Sequence, residues 1–449
     1  APESPRTTSL VEREEVRLVT LDLVIEEKKR GGVGEWHPAS DIRREQVRVR
    51  VGGRAMALDL FENLCRLPGE NAPATEPSGS APAGPGAGTA AASLTEATDE
   101  EVSGMSSTGP GPRRFVLYFD LDHLTHNGRA AAFQAARDWA GGEARPDDEV
   151  MIVTAGFGLR IVRPLRPAGE GLLEDLDRMG RSPGRSEFWA AGEEQRIYES
   201  RTKPALRIVY ANMDHEKAQR SLENLRDVMV LFEQVPGVKS LLLFEETIRL
   251  IPGRQYLPRR EPGDVMAQLQ QLVRSANERN VRIYPVHATG LAAPGENAHV
   301  DIDNALVYMA SESGGRYVQR TNRLQTGFAL AEEDMACSYR VAFRVRPRFS
   351  GRAKAITVRV TGADRLFRVR HRRTLDDPTR EQIRTQAIRG ALLSPSSARS
   401  FPVSVTAAPL FHHRGGARVR VEAGVSFRDL LPLPNPERGA GVRTVRVEV

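Results

Sequence analysis

Two aspartates and two histidines lie within seven residues of one another, in the segment FDLDHLTH at residues 119–126. The aspartates are Asp120 and Asp122, and the histidines are His123 and His126. A pair of carboxylates can supply a nucleophile and a proton-transfer group, and carboxylates together with imidazoles can hold a metal ion. The segment therefore has the residue types for phosphoryl transfer or for metal binding.

The neighbouring residues place this segment at the end of a buried strand. Residues 115–119 are apolar and precede the aspartates, and the Ala-rich residues 128–140 have helical spacing. In open α/β sheets, ligands lie just beyond the carboxyl end of a strand, where the chain turns into a helix. The sequence therefore predicts that a site in this chain would lie at this strand end.

Length, cysteine content and charge limit the class of protein. The chain has 449 residues, which favours two or three domains, and no apolar run reaches the ~20 residues of a membrane helix. Its two cysteines, Cys65 and Cys337, make neither a disulfide scaffold nor a zinc site, and one bridge or two free thiols remain as alternatives. Residues 335–449 carry an excess of about fifteen positive charges, but their arginines alternate with apolar residues as on the wet face of a sheet. We therefore expect no nucleic-acid partner.

Changes in pattern divide the chain into four parts. Residues 9–66 predict a small β module with a strand at 16–29 and a hairpin around Gly52-Gly53, and residues 67–112, rich in Ala, Gly, Pro and Ser, predict a disordered linker. Strand and helix patterns alternate over residues 113–332, as in an open, mostly parallel α/β sheet. Residues 335–449 predict a C-terminal β-sandwich-like domain, and because its last strand pattern ends with the chain, we expect a truncated domain.

The elements of the α/β part follow from its periodicity. The predicted strands are 115–119, 149–154, 159–163, 239–244, 281–286 and an edge strand at 316–319. The predicted helices are 128–140, 169–179, 214–234, 264–279 and 301–313, with an irregular insertion at 181–213. A further helix is predicted at 378–392, in the C-terminal part.

Two enzymatic or metal-binding interpretations of FDLDHLTH are open. The segment resembles the first motif of haloacid-dehalogenase-like phosphatases, which would make Asp120 the nucleophile and Asp122 the acid and base, and the strand ending in Thr154 resembles their second motif. His-Leu stands where a Gly-Thr pair is usual, and the later acidic pair is not evident. The other interpretation is a His/Asp metal cluster, although neighbours on a strand and loop point in different directions.

A third interpretation uses most of the chain. The order of FVLYFDLDHLT, PDDEVMIVTAGFGLRIVRPL, LENLRDVMVLFEQVPGVKSLLLF and NVRIYPVHATGL resembles a von Willebrand factor A domain. With the hairpin VRVGGRAMALDLF before it and SYRVAFRV after it, the chain resembles the VWFA-related domain proteins of the acidobacterial type. This resemblance implies a Rossmann-like sheet with one antiparallel edge strand, and a divalent-cation site at the end of the first strand.

The cation site departs from the family pattern. The two expected serines are replaced by Asp122 and Leu124, the expected threonine has no equivalent, and Glu245-Glu246 stands where the fourth strand would end in Asp. The resemblance then implies that Mg²⁺ or Ca²⁺ could still bind through Asp120, Asp122 and Glu245. We expect a degenerate or weak cation site and non-catalytic recognition of a protein or surface ligand. The resemblance and the start at Ala1, which suggests a processed N-terminus, imply a periplasmic or extracellular location.

Overall fold

The computed structural model describes residues 16–29, 35–65, 112–156, 158–169, 171–180, 192–232, 235–257, 263–289, 300–319, 321–362, 364–393, 403–413 and 416–425. The linker predicted at 67–112 lies outside these residues apart from Pro112, and so does the strand pattern at the chain end. The chain divides into a compact unit, Ala1–Ile383, and a second unit, Arg384–Val449.

The N-terminal residues form the strands and the hairpin that the sequence predicts. The strands are β1 (Arg17–Lys29), β2 (His37–Pro38), β3 (Val47–Val51), β4 (Arg54–Met56) and β5 (Leu60–Asn63). β3 alternates buried valines with exposed arginines, and β3 and β4 are joined at Gly52 and Gly53, whose φ values are 55° and 83°. Glycine adopts such positive φ values without steric cost, so this pair permits the tight turn.

The α/β domain (residues 113–336) is built on an open five-stranded sheet. Its strands are β6 (Arg114–Asp120), β7 (Glu149–Ala155), β8 (Leu159–Pro167), β9 (Lys239–Glu245) and β10 (Val281–His287). Their order is β10-β9-β6-β7-β8, all parallel except β8, which runs antiparallel at the edge. Beyond β10, Val318 forms an isolated parallel bridge to Val286. The Rossmann-like sheet with one antiparallel edge strand is therefore confirmed.

Helices cover both faces of this sheet. They are α1 (His126–Gly142), α2 (Leu172–Gly180), α3 (Glu193–Thr202), α4 (Leu206–Val230), α5 (Met266–Glu278), α6 (Val300–Ser313) and α7 (Thr326–Ala336). Alternate residues of β6 enter different cores: Phe115 and Phe119 pack with α1 and α7, whereas Val116 and Tyr118 pack with α4, α5 and α6. Because both faces of the central strand are buried, its sequence is a continuous apolar run rather than an alternating one.

The predicted insertion at 181–213 is more regular than expected. Residues 181–191 lie outside the described residues, but α3 and the start of α4 occupy the remainder. The sequence of α3 is nearly all polar, so it carries no apolar stripe that would predict a helix. Tertiary contacts stabilise α3 instead. Tyr210 of α4 donates a hydrogen bond to Glu199, and Arg196 donates one to the Tyr256 hydroxyl at 3.2 Å.

The strands after the α/β domain pair with those before it. They are β11 (Tyr339–Val345), β12 (Lys354–Val360), β13 (Arg365–Arg370) and β14 (Thr374–Leu375). One sheet has the order β13-β1-β11-β5, with β2 beside β1, and the other has the order β14-β12-β3-β4. The two sheets share one apolar core, to which β1, β3, β11 and β12 contribute. We call these strands, residues 17–63 and 339–375, the β unit.

This pairing differs from the predicted division into an N-terminal module at 9–66 and a separate C-terminal domain at 335–449. A few short strands cannot bury a core alone, so each half of the β unit completes the other. The α/β domain is consequently inserted between β5 and β11. A disulfide joins Cys65, just after β5, to Cys337, just before β11, and it settles the alternative that the sequence left open.

A buried polar network connects the β unit to the α/β domain. Asp334 of α7 is fully buried and accepts hydrogen bonds from the Tyr284 hydroxyl at 2.9 Å and from Arg370 of β13 at 2.7 Å and 2.8 Å. Arg316 also pairs with Asp334, and both arginines reach Glu26 of β1.

The described residues of the second unit include an antiparallel hairpin. It consists of β15 (Val403–His413) and β16 (Gly416–Val425). The predicted helix at 378–392 is present as α8 (Arg380–Leu393), which crosses the boundary between the two units. None of the helices in the described part of the chain is both long and apolar enough to cross a membrane.

Candidate functional site

The carboxyl edge of the α/β sheet brings two of the predicted site residues together. β6 ends at Asp120 and β9 ends at Glu245, and the preceding residues Phe119 and Phe244 are paired in parallel register. The Phe119 and Phe244 rings stack with 5.0 Å between their centroids. The carboxyl groups of Asp120 and Glu245 therefore lie at the same edge, where only 1% and 0% of the respective residues are exposed.

Asp120 is held by a side chain from α4. Its Oδ2 accepts a hydrogen bond from the Ser221 hydroxyl, whereas its Oδ1 is buried and has no hydrogen-bond partner among the described residues. Burial raises the pKa of Asp120 to about 7; the Ser221 hydroxyl opposes this shift and the charge of Asp122 adds to it. Burial therefore favours the protonated form of this carboxyl group far more than it is favoured in an exposed aspartate.

Glu245 has a comparable environment. Its Oε2 accepts a hydrogen bond from the backbone N–H of Ile248 at 2.8 Å, and its Oε1 is buried without a partner in the described part of the chain. Burial raises the pKa of Glu245 to about 8, the Ile248 N–H opposes the shift, and the charges of Asp120 and Glu246 increase it. Asp120 and Glu245 thus repel each other when both are ionised.

Asp122 points towards the loop after β7. A Cβ atom placed on Gly156, in that loop, would be 3.7 Å from Asp122 Oδ1. Burial raises the pKa of Asp122, and the charges of Lys217 and Arg220 on α4 oppose the shift. Over the described residues, no three His, Cys, Asp or Glu side chains are grouped so that they could hold one metal ion. Asp120, Asp122 and Glu245 thus share one edge without forming a common ligand set, and these side chains do not fit a three-carboxylate cation site.

Lys217, which the sequence analysis did not single out, supplies positive charge at this edge. Asp214, Lys217 and Ser221 follow one another at spacings of three and four residues, so they lie on one face of α4. Burial lowers the pKa of Lys217, and the charges of Asp214, Asp120 and Asp122 oppose the shift. The spacing within the predicted helix was visible in the sequence, but nothing there indicated that this face would cover β6.

Glu246 fixes the loop that carries the sequence motif. Its carboxylate accepts hydrogen bonds from the backbone N–H and the hydroxyl of Thr125, and the Thr125 hydroxyl accepts one from the N–H of Gly128 at 3.0 Å. A Cβ atom on Gly128 would overlap the Glu246 carboxylate. Negative charge at a helix N-terminus is favourable. Thr125 therefore caps α1, and Glu246 holds this N-cap residue in place and is committed to structure.

The two histidines of the motif do not form a cluster. His123 is buried, its Nδ1 lies 2.8 Å from the Thr247 hydroxyl, and burial lowers its pKa well below the usual range. His126 begins α1 and is exposed. His287, at the end of β10, lies 3.1 Å from the carbonyl oxygen of Glu246. The His/Asp metal cluster is therefore not assembled among these residues.

An open cleft adjoins this edge. We call it the rim cleft; it is a small depression open to solvent and is lined by His123, Glu193, Arg196, Asp214, Lys217 and Arg249, among others. Arg249 pairs with Glu193 at 2.8 Å, so charges of both signs face the opening. Asp120 does not line the rim cleft. The position required of a phosphatase nucleophile is thus buried beneath Ser221.

The comparisons with known proteins add a likeness of fold only. No family model matches the sequence, and no curated protein matches it. Among solved structures, the chain is similar to a von Willebrand factor type A protein from Catenulispora acidiphila, with 12% identity, 61% of this chain and 68% of that chain covered, and a TM-score of 0.30. It is also similar to the ArnB paralog VWA2 from Sulfolobus acidocaldarius, with 10% identity, 62% of this chain and 69% of that chain covered, and a TM-score of 0.26. An aerotolerance-related membrane protein from Bacteroides fragilis NCTC 9343 shows 11% identity, with 49% and 98% covered and a TM-score of 0.27. Identities and scores this low do not indicate a shared function.

Proposed function

We propose that this chain is a non-catalytic recognition protein, in which a von Willebrand factor A-type domain binds a protein or surface ligand at the carboxyl edge of its sheet. The order β10-β9-β6-β7-β8 with β8 antiparallel supports this type of domain. Open α/β sheets bind ligands beyond the carboxyl ends of their strands, and the rim cleft opens there.

The non-catalytic part of the proposal rests on two side chains of α4. Ser221 donates a hydrogen bond to Asp120, and Lys217 places a positive charge near Asp120. A nucleophilic carboxylate must be ionised and reachable by its substrate. Asp120 is 1% exposed, and burial raises its pKa to about 7. No observation favours the phosphatase alternative over recognition.

The same contacts support a degenerate or weak cation site. Lys217 already places a positive charge beside Asp120 and Asp122, and this charge would repel a divalent cation. The buried Oδ1 of Asp120 and Oε1 of Glu245 could still contact Mg²⁺ or Ca²⁺. We propose that recognition at the rim does not require either ion.

Binding at the rim is tested by reversing the charge of exposed arginines. Arg160, opposite Thr154 near the carboxyl end of β7, is exposed, and Arg359 on β12 of the β unit is an exposed matched control. Cross-linking should capture a partner with the wild-type protein but not with Arg160→Glu. The partner should still be captured with Arg359→Glu, and with the wild-type protein in the presence of a chelator. Loss of the partner with chelator would contradict metal-independent recognition, and equal loss in both variants would contradict binding at the rim.

Catalysis is tested separately with p-nitrophenyl phosphate and Mg²⁺. The proposal requires that the wild-type protein and Asp120→Asn hydrolyse this ester at the same background rate. Activity in the wild type that Asp120→Asn abolishes would establish the phosphatase alternative instead.

We also propose a periplasmic or extracellular location. The Cys65–Cys337 disulfide supports an oxidising compartment, since such bonds are rare where thiols are kept reduced. Blocking free thiols at the moment of lysis, followed by mass spectrometry, should find this pair oxidised in the source cells. Two alkylated thiols would contradict the location.

A further inference from the structure

A second cleft lies at the opposite edge of the α/β sheet, beside the β unit. We call it the basal cleft; it is a small depression open to solvent, and its lining includes Asp22, Asn277, Asn280, Arg282, Ser313 and Arg372. Arg282 belongs to the amino end of β10, Asp22 to β1, and Arg372 follows β13. The α/β domain and the β unit therefore both contribute to this cleft.

Two arginines of the basal cleft are buried and form no ion pair with a carboxylate among the described residues. Only 5% of Arg282 and 9% of Arg372 is exposed. Arg282 donates to the carbonyl oxygen of Asp22 at 3.3 Å, and Arg372 donates to the carbonyl oxygens of Asn277 and Thr20. The Nε of Arg372 is buried and has no hydrogen-bond partner among the described residues. Burying a charged group without a counter-charge costs several kcal/mol.

Two of the three carboxylates whose charges act on Arg372 are paired with other arginines. Asp22 accepts a hydrogen bond from Arg340 at 3.0 Å, and Glu278 pairs with Arg279 at 3.0 Å. Burial and the charge of Arg17 lower the pKa of Arg372 to about 10, although Asp22, Glu278 and Asp376 oppose the shift. Positive charge therefore remains in excess around the cleft.

We propose that the basal cleft binds a small oxyanion of the phosphate class, either free or as a phosphate monoester on a larger molecule. Guanidinium groups present planar sets of N–H donors that match the oxygens of phosphate, and charge-assisted hydrogen bonds of this kind are strong. Arg282 and Arg372 would supply the charge, and the side-chain amide of Asn280 would add a neutral donor. Because the ligand would contact both the α/β domain and the β unit, its binding would stabilise their association.

Inorganic phosphate is the probe for the first experiment. Calorimetry and thermal unfolding are measured with phosphate replacing chloride at constant ionic strength, for the wild type, Arg282→Gln and Arg359→Gln. The last variant removes an exposed arginine of the β unit and is the matched control. Wild type and Arg359→Gln should show a saturable rise in Tm, and Arg282→Gln should bind about tenfold more weakly or worse. No saturable response in the wild type, or an equal response in Arg282→Gln, would overturn the proposal.

A second variant keeps the test valid if Arg282→Gln does not fold. Asn280 has a φ of 53°, which glycine adopts readily, so Asn280→Gly removes the amide without straining the backbone. This variant should fold normally and bind phosphate more weakly; unchanged affinity would count against the cleft.

The source of the phosphate group is distinguished with vesicles. Phosphatidylcholine vesicles with and without phosphatidic acid are floated with the protein, and glycerol phosphate is titrated in parallel. Binding of glycerol phosphate without flotation would identify a free metabolite-type ligand, and binding of both would identify a lipid headgroup. Flotation without any response to inorganic phosphate or glycerol phosphate would refute the cleft and indicate a charged surface instead.

Discussion

The Ser221 hydroxyl donates a hydrogen bond to Oδ2 of Asp120, so a side chain of α4 closes over the carboxyl end of β6. Because this bond favours the ionised carboxylate, Ser221→Ala should raise the pKa of Asp120 further. We expect a loss of about 1–3 kcal/mol in the free energy of unfolding, and a larger loss at pH 8 than at pH 5. Urea unfolding of the wild type and the variant at both pH values measures this loss in the free energy of unfolding. Ser311→Ala, at an exposed serine of α6, is the control and should change stability little; an equal effect of both variants would contradict the role of Ser221.

The buried carboxyl groups at the rim should make stability depend on pH. The pKa values of about 7 for Asp120 and about 8 for Glu245 lie above the unfolded values of about 4, so the folded state binds these protons more tightly. The free energy of unfolding should therefore fall as pH rises from about 5 to 8 and level off above that range.

Glu245→Gln should flatten this dependence. The variant should match the wild type near pH 5 and exceed it by about a few kcal/mol near pH 9, as measured by denaturant unfolding across the range. Glu216→Gln, at an exposed glutamate of α4, is the control and should leave the profile unchanged. A wild-type protein that grows more stable between pH 5 and pH 9 would contradict the assigned shifts.

Removing the ammonium group of Lys217 should improve cation binding. In Lys217→Met, the carboxylates of Asp120, Asp122 and Asp214 lose a neighbouring positive charge, and we expect Mg²⁺ or Ca²⁺ to bind about tenfold more tightly or better. Calorimetry with Mg²⁺, Ca²⁺ and Mn²⁺ measures the change. Lys203→Met, at an exposed lysine that ends α3, should behave as the wild type. Tight binding by the wild type with no gain in Lys217→Met would show that the lysine does not oppose the cation.

Asp334 should contribute strongly to the association of the α/β domain with the β unit. Asp334→Asn removes the fully buried carboxylate that Arg316 and Arg370 share and leaves them only Glu26 as a buried carboxylate partner, and breaking such a network costs about 3–5 kcal/mol. The adjacent Glu333 pairs with Arg316 at 2.8 Å but is half-exposed, so Glu333→Gln should cost about 1 kcal/mol or less. Guanidinium unfolding compares the two variants. Equal losses in the free energy of unfolding would show that burial of the carboxylate does not determine its contribution to stability.

The core elements of the α/β domain were predictable because their sequences are locally distinctive. β6, β7, β9 and β10 are mainly apolar runs, and each lies within two residues of its predicted bounds. α3 was missed because a polar helix has no periodic apolar stripe. α7 was missed as well, although its Phe328 and Ala331 are fully buried.

Long-range relationships were beyond the reach of local patterns. Val49 of β3 pairs with Val358 of β12, more than three hundred residues away, and nothing in either strand encodes its partner. The position of Asp120 and Glu245 at one edge followed from the rule for parallel strands, whereas the positions of Lys217 and Ser221 depend on how α4 packs. Sequence reasoning therefore predicted that Asp120 and Glu245 share one edge of the sheet, but it did not predict that Lys217 and Ser221 would lie beside them.

The disulfide between Cys65 and Cys337 has a mechanical consequence. It closes a covalent loop that contains the whole α/β domain, since the domain lies between these two cysteines. Tension applied to the chain on both sides of the loop would pass directly through the sulfur–sulfur bond. The α/β domain would then bear none of this tension, and the carboxyl edge of its sheet would keep its shape while the β unit carried the force.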